Sequence, residues 1–199
     1  MSAATRARRI GVFGGTFDPI HNGHLVVADE VLSQLGLDQV LFVPAGDPWQ
    51  KETRASDTDR LSMVILALEG HPQYAVSTID LDRPGHTYTV DTLTELRQQF
   101  PNDELFFILG ADAYRGIESW QEAERLPGLA QFIVVSRPTE AGGEPLVMRT
   151  GVNLLEIPAL PVSSTQCRQA IREGMTVTGL VPTEVEQYIE DHHLYRSDS

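Results

Sequence analysis

IGVFGGTFDPIHNGH, residues 10–24, is the stretch on which the reading of the whole chain turns. It opens on Ile10–Phe13, a short apolar run that is continuous rather than alternating, which predicts a strand buried on both faces. Gly14 and Gly15 follow, and they allow unusual backbone angles and close approach of a ligand. Gly23 and His24 then lead into an amphipathic helix carrying Leu25, Ala28, Leu32 and Leu35, with Gly36 as its stop. Strand, glycine turn and helix in this order place exposed helix-start amides beyond the end of a strand, where they attract phosphate.

The same alternation recurs along the chain. Apolar β-type runs stand at Val40–Val43, Leu105–Leu109, Phe132–Val135 and Leu154–Ile157. Between them lie helical stripes: Leu61, Val64, Ile65 and Leu68, then Val90, Leu93, Leu96 and Phe100. Ser163 or Ser164 caps a helix through Ile171, and Pro182 opens a last helix through Ile189. Alternating strands and helices predict an α/β fold, an open parallel sheet flanked by helices. A chain of 199 residues fits one domain, expected over residues 9–196. Residues 1–8 are expected as a flexible tail, with the Arg6, Arg8 and Arg9 cluster solvated, and 197–199 as a second tail. Pro138–Thr150, with Gly142-Gly143, reads as a mobile loop.

Composition narrows the partners. A formal net charge of -13 and a pI near 4.7 argue against a nucleic-acid backbone, which needs a broad basic surface. The single cysteine, Cys167, cannot form an internal bridge, and no charged-then-apolar leader precedes the first strand, so a reducing cytoplasm is expected. No stretch has the length of a membrane span. An anionic small ligand therefore needs a local basic pocket. Of 15 basic residues only Lys51 is lysine, on the loop Pro44–Lys51 after the second strand, which favours a compact, mobile charge there over a rigid fork. A chance solvent-facing lysine is the alternative.

Ligands of open α/β sheets bind beyond the carboxyl ends of the strands, so the residues after each strand form the candidate site. His21 and His24, three apart at a helix entrance, can both aim ring N–H groups at one anion, making with the helix start a triphosphate clamp. Alone, the pair could equally bind zinc with Asp18 or be satisfied surface residues. Neither G-x-G-x-x-G nor a Walker loop occurs here. Gly110-Ala111-Asp112 brings a carboxylate that could accept ribose hydroxyls or meet magnesium through water. Arg137 could pair with phosphate. Ser163, Ser164, Thr165 and Arg168 give hydroxyls, free amides and a guanidinium at a second helix start. Cys167 shares a face with Ala170 and Ile171 and reads as core. Trp120 could stack on a heteroaromatic ring or be core, and Thr89 could be a helix cap or meet a ligand.

Taken together these residues resemble the HxGH nucleotidyltransferase superfamily, and within it the bacterial nicotinate-nucleotide adenylyltransferases. The blocks GGTFDPIHNGH, the Lys51 loop, ILGAD followed by Trp120, SRP, SSTQCR and PTEVEQYIEDHHLYR match in order from about Arg9 to Arg196. The resemblance implies a Rossmann-like fold and magnesium-dependent transfer of AMP from ATP to nicotinate mononucleotide, giving deamido-NAD and pyrophosphate. It implies ATP-phosphate contacts from His21, His24, Lys51, Ser164 and Arg168, with Gly14, Gly15, Thr16, Phe17, Gly110, Asp112, Arg137 and Thr165 also around ATP. On the nicotinate mononucleotide side it implies Thr16, Asp18, Lys51, Thr89 and Trp120. The resemblance assigns no metal ligand among the protein's residues; magnesium comes with ATP. One departure is Gln121, where some relatives carry a second aromatic. Assembly into a homo-oligomer stays open.

A phosphate monoester is already mostly dianionic at neutral pH, so such an acceptor requires no general base. The histidines then read as donors that stabilise charge on the phosphates. Two rivals remain: a relative acting on phosphopantetheine, and a non-catalytic nucleotide sensor.

Overall fold

The computed structural model describes residues 6–48, 52–136, 151–158 and 160–196. In chain order the elements are β1 (Arg9–Gly15), α1 (Asn22–Leu35), β2 (Gln39–Pro44), β3 (Asp47–Pro48), α2 (Asp57–Ala67), β4 (Tyr74–Val76), β5 (His86–Thr87), α3 (Thr89–Gln99), β6 (Glu104–Gly110), α4 (Ala111–Arg115), β7 (Gln131–Ser136), β8 (Val152–Glu156), α5 (Ser164–Arg172) and α6 (Thr183–Asp191). Six strands form one parallel sheet in the order β4-β2-β1-β6-β7-β8, and β3 pairs with β5 in a separate two-stranded ribbon. From β1 the chain builds outward through β2 to β4, then returns to β6 and builds the other way. The strand order therefore reverses between β1 and β6, the position where open α/β sheets open a crevice.

The apolar strand runs are continuous because helices cover both faces of the sheet. Within each run the side chains still alternate: Phe13, Phe42, Phe106, Ile108 and Ile133 pack with α1, α2, α5 and α6. Val12, Leu41, Val43, Phe107 and Val134 pack with α3, α4 and the short turns that follow. Gly36 closes α1 in the left-handed region at φ 57°, where a residue lacking Cβ is unstrained. Ser163 caps α5 by accepting the Gln166 amide at 3.2 Å.

Five predicted strands and five predicted helices are present, and the differences have physical reasons. The buried stripe of α2 is Arg60, Met63, Val64 and Ala67, one position round from the predicted one, and Ile65 is 48% exposed. An apolar count could not place a charged residue on the inner face. β8 is not buried on both sides: it is the edge strand, and Leu154 is 46% exposed. β4, only three residues long, gave no periodic signal. Arg6, Arg8 and Arg9 each have partners in the fold, although Arg6 and Arg8 stay largely exposed. Arg8 forks onto Asp103 at 2.7 and 3.0 Å and its backbone amide donates to the same carboxylate. Arg6 pairs with Asp38 at 2.6 Å, and Arg9 lies 4.8 Å over the Phe106 ring. Segment Pro138–Thr150 lies outside the described residues. No helix among the described residues is long and apolar enough to cross a membrane.

Candidate active site

Register fixes the floor of the crevice. The β1–β6 pairing ends at Phe13 and Ile108, and Gly15 and Gly110 each lie two residues beyond it, at the point of strand reversal. Gly110 then caps α4 and Gly15 leads into the loop Thr16–Ile20, whose last residues carry His21 to the start of α1.

His21 is the N-cap of α1 with extended backbone, and its ring stacks on that of His24 at 3.6 Å between centroids and 22° between planes. The His24 Nδ1 accepts the backbone N–H of His21 at 3.1 Å. A neutral imidazole that accepts at Nδ1 carries its proton on Nε2, so the donor of His24 is defined by the chain itself. Phe17, at φ 49°, meets the same ring at 5.1 Å and Phe13 meets it at 5.9 Å, which leaves the imidazole little freedom. Between the histidines only glycine fits: a Cβ on Gly23 would stand 2.9 Å from Val162 and 3.0 Å from His21 Nδ1.

The loop after β2 is tied to the loop after β1. The Ala45 N–H donates to the Gly15 carbonyl at 2.9 Å. Gly46 lies so close to the backbone of Asp80 that a Cβ would be 2.4 Å from its oxygen, and β3 then pairs with β5. Beneath both loops sits Arg60, whose side chain is completely buried. Its guanidinium donates to the carbonyls of Thr16 at 2.7 Å, Ala45 at 2.6 Å and Gly46 at 3.2 Å, and pairs with Asp57 at 2.6 Å. Sequence reading missed it: position 60 continues the buried stripe 63, 64, 67, but an arginine there does not enter a count of apolar positions.

Asp18 is 2% exposed, and its carboxylate is occupied by the chain. It accepts the Arg54 amide at 2.7 Å, the Ala55 amide at 3.1 Å and the Tyr195 hydroxyl at 2.7 Å. Expected on the nicotinate mononucleotide side, its carboxylate is held by the backbone just before α2 and by Tyr195. Lys51 itself and Arg137 lie outside the described residues.

The start of α5 joins the same assembly. Ser164 Oγ donates to the Pro19 carbonyl at 2.9 Å, and Arg168 reaches the Asp18 carbonyl at 2.6 Å and Thr165 Oγ1 at 3.3 Å. Cys167, fully buried beside them, is core as expected, and burial pushes its thiol up to about 11. On the other side of the sheet, Trp120 packs edge-on against Phe107 at 6.2 Å, and Thr89 begins α3 with Tyr88 as N-cap. Asp112, in the first turn of α4, is fully exposed and pairs with Arg115 at 2.5 Å. Direct contacts join Phe17 and His21 to His24, and Arg168 to Asp18 and Thr165, with Ser164 on the Pro19 carbonyl; Gly14, Gly15 and Thr16 belong to the same strand end and loop. Gly110 and Asp112 stand at the neighbouring strand end, and Thr89 and Trp120 on the opposite face.

Residues 12–170 match the model of the cytidylyltransferase-like family. Across nearly its whole length the chain is similar to the "Probable nicotinate-nucleotide adenylyltransferase" of Clavibacter sepedonicus, 51% identical over 196 residues that cover 98% of each chain. The chain belongs to the nicotinate-nucleotide adenylyltransferase family. A protein of the same printed name from Streptomyces coelicolor is 51% identical over 187 residues, 93% of this chain and 100% of that one. Among solved structures the fold is similar to that of Plasmodium falciparum nicotinic acid mononucleotide adenylyltransferase complexed with NaAD, at a TM-score of 0.77 and 22% identity, covering 94% of this chain and 97% of that one. The parallel sheet with its reversal between β1 and β6 is therefore the Rossmann-like fold expected for this family.

Proposed function

We propose that this chain transfers the AMP moiety of ATP to nicotinate mononucleotide, giving deamido-NAD and pyrophosphate, as a cytoplasmic step of NAD biosynthesis. The observation that carries the reading is the His21–His24 stack at the start of α1, set at the strand reversal and locked by the His21 amide. The triphosphate lies against the α1 start, where helix amides and the His24 Nε2–H converge on negative charge. Ser164, Thr165 and Arg168 close it from the α5 side, and Lys51 and Arg137 add positive charge from their loops. Asp112 lies near the ribose.

The acceptor approaches from the Thr89 and Trp120 face, with Trp120 offering a ring for stacking. Its phosphate is a dianion at neutral pH, so the chain aligns the attacking oxygen with the α-phosphorus and needs to remove no proton. The histidines act as donors to the oxygens on which charge grows and to the departing pyrophosphate.

Among the described residues no three His, Cys, Asp or Glu side chains cluster as a metal site. Magnesium would come with ATP, and Asp112 could meet it directly or through water. When bound, the ion would neutralise charge on the triphosphate.

The test is an assay of the purified protein with ATP, magnesium and one of three acceptors: nicotinate mononucleotide, nicotinamide mononucleotide or phosphopantetheine. Nicotinate mononucleotide is expected to react fastest, with release of pyrophosphate. Equal rates with all three would overturn the choice of acceptor, and no pyrophosphate with any would point to a nucleotide sensor.

A further inference from the structure

Burying a guanidinium is costly, yet Arg60 stands on the inner stripe of α2 beside Met63, Val64 and Ala67, where an apolar side chain would serve packing. Its carboxylate partner Asp57 is 56% exposed, so the ion pair alone does not account for the burial. What Arg60 does is set by its other acceptors. These are the carbonyls of Thr16, Ala45 and Gly46, all in the loops that follow β1 and β2.

The Thr16 carbonyl shares a peptide plane with the Phe17 N–H, so the donor that orients one orients the other. Phe17 then turns at φ 49°, in the left-handed region that a bulky residue occupies only where its surroundings impose it. One peptide further on, Arg168 holds the Asp18 carbonyl at 2.6 Å. Held on both sides, Phe17 lays its ring over Gly15, where a Cβ would stand 2.9 Å from it, and meets the His24 imidazole edge-on at 5.1 Å. The ring is buried and also touches Phe13 and Phe42, at 5.7 and 5.8 Å. A shift of the Thr16–Phe17 peptide is therefore passed to the imidazole.

We infer that Arg60 is a positioning residue for the transfer reaction, which acts through the Thr16–Phe17 peptide and the Phe17 ring to hold His24 in its donor orientation. The inference rests on the proposed role of His24 as a donor to the triphosphate.

Arg60→Met keeps an apolar stem in the α2 stripe and removes the donors. Assayed well below its thermal midpoint, it should lose about five- to fiftyfold in kcat, with a smaller change in KM for ATP. Phe17→Leu, which leaves Arg60 in place, should lose kcat on the same scale. An unchanged kcat in either variant would overturn the inference. A second readout is independent of turnover: the proton NOE between the Phe17 and His24 rings should weaken in Arg60→Met, while that between Phe107 and Phe132, on the other face of the sheet, stays as in the wild type. A Phe17–His24 contact that persists, or equal weakening of both pairs, would overturn it. Should Arg60→Met fail to fold, Arg60→Lys, which keeps the charge and loses the fork, is held to the same outcomes. If the wild-type protein releases no pyrophosphate from ATP with nicotinate mononucleotide, the functional reading fails, and the ring contact still decides whether Arg60 positions His24.

Discussion

The backbone amide of His21 donates to Nδ1 of His24, so the first residue of the pair fixes the tautomer of the second. One hydrogen bond of 3.1 Å thereby leaves the proton of the neutral His24 ring on Nε2. Preorganised donors of this kind need no rearrangement when charge develops, which is the source of their catalytic value.

Replacing His24 by alanine removes that donor and leaves the helix start in place. The kcat is expected to fall by about 10²–10³, with a smaller change in KM. Steady-state kinetics of purified His24→Ala decide it, and an unchanged kcat removes His24 from the mechanism.

Arg168 differs from a simple charge because its guanidinium reaches both the Asp18 carbonyl and Thr165 Oγ1. Lysine keeps the charge and loses the planar fork. Turnover of Arg168→Lys is expected to drop at least about tenfold, the equivalent of one hydrogen bond to a charged group; near-wild-type turnover contradicts the assignment.

Arg60 is the hub beneath the site. Arg60→Met would leave the carbonyls of Thr16, Ala45 and Gly46 without this donor in a buried setting. At about 1–3 kcal/mol for each buried group left unsatisfied, the loss should exceed about 3 kcal/mol, or about 6–12 °C in thermal midpoint for a domain of this size. A midpoint within about 2 °C of wild type shows that the two loops are held by other means.

The buried thiol of Cys167 is raised from its ordinary value of 9.0 to about 11 by desolvation. The sign follows from which state holds the proton more tightly. The folded protein does, so this group's contribution to stability is complete below pH 9 and is lost as pH rises through about 11. At pH 8 the native thiol should resist iodoacetamide and react only after denaturation. Rapid labelling of the folded protein at pH 8 would show that the thiol is accessible and ionised.

How much of this was legible in the sequence depends on the range of the interaction concerned. The β1 run, the glycine turn and the His21–His24 pair are local, and a short segment states them fully. The positions of Ser164 and Arg168 were readable because both follow a strand and start a helix. The partners of Asp18 were not legible because they lie 36, 37 and 177 residues away, a separation no spacing argument can reach. Arg60 escaped notice because a charged residue on an inner helix face is invisible to a count of apolar positions. Arg6, Arg8 and Arg9 resembled a tail until Asp38 and Asp103, both in turns preceding strands, were brought beside them by the parallel pairing of β1 with β2 and β6.

The whole account rests on the groups at the starts of α1 and α5 closing around one triphosphate. A crystal structure with a non-hydrolysable ATP analogue and magnesium measures this in a single step. The account predicts His24 Nε2 within about 3.2 Å of a phosphate oxygen, with the His21 ring still stacked on it. Phosphates bound elsewhere, with both imidazoles remote from them, would contradict it.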